Sequence, residues 1–104
     1  MVLLIVSLSA NSLHAASARD MYLAALNRED SLTDEKRPTP PSLEQLRNLI
    51  NRYQQIVHKY PRSGYSDNAL WQAAGLAFDA FRRYRDTKDR IRGERFLELI
   101  KSEY

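Results

Sequence analysis

Apolar residues recur along most of this chain at spacings of three and four. The clearest run follows Ser42: Leu43, Leu46, Ile50, Tyr53, Val57 and Tyr60, with Leu49 and Ile56 beside them. That alternation winds the residues onto one buried face of a helix. Ser42 and Gln45 make a capping-box pair at its start, and Pro61 ends it. A third helix is expected from the serines at 63 and 66 to Tyr84. One of its faces carries Ala69, Ala73, Ala77 and Ala80, and the adjoining positions hold Leu70, Trp71, Leu76, Phe78 and Phe81. Small residues beside large ones let a neighbouring helix come close. A shorter stripe of Met21, Tyr22, Ala25 and Leu26 predicts a first helix over residues 16–28. Ile91, Phe96, Leu97, Leu99, Ile100 and Tyr104 predict a fourth over 90–104. Residues 29–41, EDSLTDEKRPTPP, show no periodicity and are rich in proline, which disfavours helix in the residue before it. They read as a loop. The expected fold class is all-α: antiparallel helix pairs, four helices, in one domain over 19–104.

Gly75 stands out in this pattern. Glycine in a helix interior costs about 1 kcal/mol relative to alanine, so a close helix crossing at Gly75 is expected to offset it. The aromatic set Tyr53, Tyr60, Tyr65, Trp71, Phe78, Phe81 and Tyr84 reads as packing between helices, with Tyr65 and Tyr84 able to show an edge to a partner.

The first eighteen residues carry no charge, hold an apolar run at Val2–Val6 and end in Ala16-Ser17-Ala18. A small-x-small tripeptide after a short apolar run is what signal peptidase reads, and the run is too short to span a membrane. An exported chain in the periplasm or cell envelope of a bacterium is expected. With no cysteine, disulfides, thiolate zinc sites and cysteine nucleophiles are excluded.

The net charge of +3 owes much to residues 82–95, where seven Lys or Arg face three Asp or Glu. Cations in the last turn suit the negative end of a helix dipole, so the segment reads first as a solvated helix end and second as a patch for an anionic partner. Asp86, Asp89 and Glu94 dilute its field, and no nucleic-acid partner is expected. His58 reads as a surface residue, and His14 falls in the export segment. Asp67 and Asp79 are expected at a helix start and on a solvated face, within reach of arginines on the next helix. No phosphate loop or nucleophile motif is present. No catalytic residue, metal site or cofactor is expected within the chain.

The sequence also repeats. A shift of 44 residues places Ala25-Leu26 on Ala69-Leu70, Tyr53 on Leu97, Ile56 on Ile100 and Tyr60 on Tyr104. The tetratricopeptide pattern puts W-x2-L-G-x2-Y on the first helix of a pair, and A-x3-F followed by Pro on the second. Trp71, Ala74, Gly75 and Phe78 follow the first half. Leu49, Tyr53 and Pro61 follow the second half of the preceding repeat, and Gly93 with Leu97 that of the next. The chain resembles the tetratricopeptide-like family over residues 16–104. The resemblance implies that Leu49, Tyr53, Pro61, Trp71, Ala74, Gly75, Phe78 and Leu97 pack the repeats. It also implies a partner-facing concave surface at Tyr65, Asn68 and Gln72, with Arg82 and Arg83 nearby.

Residues 60–86, YPRSGYSDNALWQAAGLAFDAFRRYRD, are similar to the N-terminal helical region of some bacterial N-acetylmuramoyl-L-alanine amidases. There a cell-wall-targeting domain and a zinc amidase domain follow, and none of their catalytic residues falls within this chain. LELIKSEY stops in mid-pattern, so a longer reading frame is expected. The resemblance implies a non-catalytic module with a protein or cell-envelope partner. Two helix pairs are fewer than the three or more repeats usual for independent stability, so dimerisation through the exposed flank of the fourth helix is an expectation. The alternative is a self-contained adaptor in envelope assembly or cell division with no enzyme attached.

Overall fold

Three serines and an aspartate set the helix starts. Ser17, Ser42, Ser63 and Asp86 each accept a hydrogen bond from a first-turn amide, which satisfies a donor that the helix itself leaves unpaired. The computed structural model describes residues 16–104. Four α-helices make up this part: α1 (Ala18–Leu32), α2 (Leu43–Lys59), α3 (Gly64–Tyr84) and α4 (Thr87–Glu103), with no strand among the described residues. The capping box expected at Ser42 is present: Gln45 donates its amide to Ser42 Oγ at 3.1 Å, and the Ser42 amide donates to Gln45 Oε1 at 3.0 Å. Ser17 and Asp20 make a second one. The export-signal reading of residues 1–18 falls, for residues 1–15, outside the described residues. Its last part coincides with the start of α1.

Two boundaries differ from the sequence reading. Helix α1 runs on through Leu32, so the expected loop over 29–41 gives up its first residues. Leu32 lies two turns beyond Ala25 on the same face, and both are buried. Burying a leucine is worth roughly 1.5–3 kcal/mol, which outweighs the weak helix preference of Asn27, Asp30 and Ser31 between them. Helix α4 starts at Thr87 rather than near residue 90, because Asp86 caps it. Only Arg85 and Asp86 separate α3 from α4, and Arg85 makes the turn in the left-handed region at φ 61°.

Each helix packs against the next, and α1 also touches α3. The result is a flat slab, 59 × 39 × 18 Å. Helix α3 lies between α2 and α4. Its alanine face, Ala69, Ala73, Ala77 and Ala80, is fully buried, so neighbouring backbones can approach. From α2, Leu46, Leu49, Ile50, Tyr53 and Ile56 complete the core.

Tyrosines tie the helix ends together. The Tyr60 hydroxyl, at the end of α2, donates to the Ala16 carbonyl just before α1. The Tyr104 hydroxyl, at the end of α4, donates to the Pro61 carbonyl just before α3, at 2.6 Å. The 44-residue repeat of the sequence thus appears as a repeated clamp, one on each helix pair. Tyr84 adds a third tie, from the end of α3 to the Pro41 carbonyl ahead of α2, at 2.5 Å.

The close helix crossing expected at Gly75 is absent there. Gly75 is exposed, and a Cβ built on it meets nothing within 4 Å. Nothing among the described residues crosses there. The close approach belongs to Gly93 on α4, where a Cβ would stand 3.0 Å from the Phe78 ring of α3. The cost of Gly75, about 1 kcal/mol, is less than the burial of one leucine contributes, so the fold tolerates it. Trp71 is likewise not packed between helices: it is 64% exposed.

These environments predict opposite responses. Gly75→Ala should raise stability by up to about 1 kcal/mol, the propensity difference. Gly93→Leu should lower it by roughly 1–3 kcal/mol, the usual cost of overpacking. Urea unfolding followed by circular dichroism checks both. A destabilised Gly75→Ala would restore the helix-crossing reading.

Candidate interaction surface

The last turn of α1, the middle of α3 and Leu97 of α4 enclose an open groove of about 560 Å³. Trp71, Phe78 and Leu97 give it an apolar lining, Gly75 leaves its floor without a side chain, and Glu29 and Asp79 bring two carboxylates to it. Of the residues predicted to face a partner, Gln72 lines this groove, while Tyr65, Asn68, Arg82 and Arg83 lie outside its lining. On α3, Tyr65, Asn68, Gln72, Gly75 and Asp79 follow one another at alternating steps of three and four, which is one helix face.

Glu29 is the polar centre of this region. Its Oε1 accepts from the Tyr53 hydroxyl at 2.7 Å and from Gln72 Nε2 at 3.2 Å. One carboxylate on α1 thereby joins α2 to α3. Burial first, then the hydrogen bond to Glu29, pushes the Tyr53 phenol far above its ordinary value of 10.0. Tyr22 is raised as well, by burial and then by the negative charge of Glu29. Its ring lies 6.0 Å from that of Tyr53 and 5.4 Å from that of Tyr65. Glu29 was expected in a loop. Its role becomes visible once α1 is extended to Leu32, and the spacing from Ala25 to Leu32 is the signal that extends it.

Other predicted residues are engaged inside the fold. Tyr65 is half-buried against Tyr22, and Gln72 holds Glu29, while Asn68 is exposed. Arg82 and Arg83 are exposed and both pair with Asp79 one turn back, at 3.0 and 2.9 Å. Asp79 therefore pairs within its own helix, not with the next one. Asp67 accepts from the Asn68 amide beside it. Of the repeat-packing residues, Leu49, Tyr53 and Ala74 are buried, Phe78 is half-buried, and Trp71, Gly75 and Leu97 are exposed to the groove side. Pro61 acts through its carbonyl. His58 is exposed, as expected.

A second polar cluster fixes α4. Arg47 on α2 donates to Asp89 at 3.0 and 2.8 Å and to Asp86 at 3.0 Å. Asp89 is 2% exposed, and a buried carboxylate needs such a partner. Asp86 is held below the usual carboxylate range by the Lys88 amide and then by Arg47. Arg92 reaches the side-chain oxygens of Asn51 and Gln54 on α2 at 2.5 and 2.7 Å, and burial lowers its pKa. Three of the residues in the basic segment are thus used to dock α4 on α2. Among the described residues, no three of His, Asp and Glu converge as a metal site.

The Tyr53–Glu29 bond gives the fold a dependence on alkaline pH. The folded chain keeps the Tyr53 proton above pH 10, where a tyrosine in the unfolded chain has lost it. The unfolded state then binds fewer protons, so stability falls as pH rises, at about 1.4 kcal/mol per pH unit for each proton retained. Tyr53→Phe removes that proton, and its loss of stability above pH 10 should be shallower. Equal slopes for the two chains in urea titrations would contradict the assignment. Comparison of the chain with protein-family models, with curated proteins and with solved structures gives no match.

Proposed function

We propose that this chain is an interaction module of two tetratricopeptide-like helix pairs that works in the bacterial cell envelope, as the non-catalytic N-terminal region of a peptidoglycan-hydrolysing N-acetylmuramoyl-L-alanine amidase. The observation that carries the interaction reading is the groove with Trp71 standing 64% exposed at its edge. A contiguous exposed apolar patch rimmed by polar residues is a mark of an interaction site. The duplicated tyrosine clamps on the two helix pairs support a repeat of tetratricopeptide-like type. Placement in the envelope rests on the similarity of residues 60–86 to the amidase helical region and on the export-like segment at 1–18.

The role of such a module is to hold a neighbouring domain near its target. Its own surface then serves recognition, while bond breaking belongs to the attached domain. Two measurements test this. Fused ahead of a phosphatase reporter that works only outside the cytoplasm, residues 1–104 should give an active reporter in a bacterial host. A silent reporter would contradict the envelope placement. The purified chain should release no dye-labelled fragments from peptidoglycan, and release would contradict a non-catalytic role.

A further inference from the structure

The groove joins an apolar wall to a carboxylate that no cation among the described residues neutralises. Asp79 is held by Arg82 and Arg83. Glu29 receives only neutral donors, the Tyr53 hydroxyl and the Gln72 amide, and both reach Oε1. Among the described residues no Lys or Arg stands within ion-pair distance of Glu29, and its Oε2 accepts no hydrogen bond. Among the described residues no buried polar side-chain atom lacks a partner, so this oxygen is not sealed away. It remains available to something entering the groove. The groove also offers Trp71, whose ring face attracts cations, and Phe78 and Leu97, which attract apolar groups.

We infer that the groove binds a peptide segment carrying a lysine or arginine between apolar residues. The cationic head meets Glu29 Oε2 and the Trp71 ring. The apolar neighbours cover Phe78 and Leu97 and settle over Gly75, where no side chain stands in the way. The net charge of the chain is +3, and Asp79 is already matched by Arg82 and Arg83, so the negative charge offered by the groove is that of Glu29, whose donors are neutral; that local complementarity selects a basic ligand over an acidic one. The inference rests on the interaction-module reading only in taking the occupant to be a polypeptide. It does not depend on export or on an attached enzyme.

The sole tryptophan of the chain is Trp71, so its fluorescence reports on the groove without a label. The probes are the capped tripeptides Leu-Lys-Leu, Leu-norleucine-Leu and Leu-Glu-Leu, which differ at the centre in charge and hardly in size. The lysine peptide should shift Trp71 emission at millimolar concentration and bind roughly three- to tenfold tighter than the norleucine peptide, the range for one partly exposed ion pair with a cation–π contact. The glutamate peptide should bind most weakly. Added salt should narrow the gap between lysine and norleucine, and Glu29→Gln should abolish it. If Glu29→Gln does not fold, the salt dependence in the unaltered chain decides alone. Equal binding of the lysine and norleucine peptides at low salt, or no response of Trp71 to any peptide, would overturn the inference. Neither outcome bears on the reporter or peptidoglycan measurements, so the two proposals fail separately.

Discussion

Helix α3 can lie between α2 and α4 only because Ala69, Ala73, Ala77 and Ala80 leave no side-chain bulk on its buried face. A longer residue at any of the four would push a neighbouring helix outward in an interior packed to crystal-like density. The rest of the fold follows from this close approach. It brings Gln72 within reach of Glu29 and sets the Phe78 ring against Gly93. Held by α3, the ends of α2 and α4 place Tyr60 and Tyr104 over the carbonyls they clamp.

Polar contacts then fix the register that apolar packing leaves loose. Apolar burial is non-directional, so one helix could slide along another at little cost. The Glu29 centre ties α1, α2 and α3 at one height. Arg47 fixes the start of α4 against α2 through Asp86 and Asp89, and Arg92 fixes it a turn further on. Side chains make these links because α2 and α4 do not pack directly. Of the basic residues in 82–95, Arg92 thus has a structural role.

The sequence pattern disclosed the four helices, the Ser42 cap, the alanine face and the repeat, because each rests on spacing within one helix or on a fixed shift. What it did not disclose depends on which face meets which neighbour. Trp71 and Leu70 are adjacent in sequence, yet one is exposed and the other buried. Gly75 and Gly93 look alike as residues, and only the position of Phe78 tells them apart. The repeat itself shows where the second pair departs from the first. The same shift of 44 that matches Tyr60 with Tyr104 carries buried Leu46, Ile50 and Val57 of α2 onto exposed Arg90, Glu94 and Lys101 of α4. Arg90 and Glu94 pair with each other at 2.7 Å. At these positions α4 is polar, where α2 presents core residues to its neighbours.

An interaction module of the kind proposed needs a rigid centre and an accessible edge. The structure puts the centre in α3 and the edge on its groove side, with α1 joined to the rest by fewer contacts. Native-state hydrogen exchange reads that hierarchy residue by residue. The amides around Ala69–Ala77 should exchange slowest, near the limit set by global unfolding, and those of α1 fastest among the four helices. Amides of α1 or α4 protected more strongly than those of α3 would contradict that hierarchy.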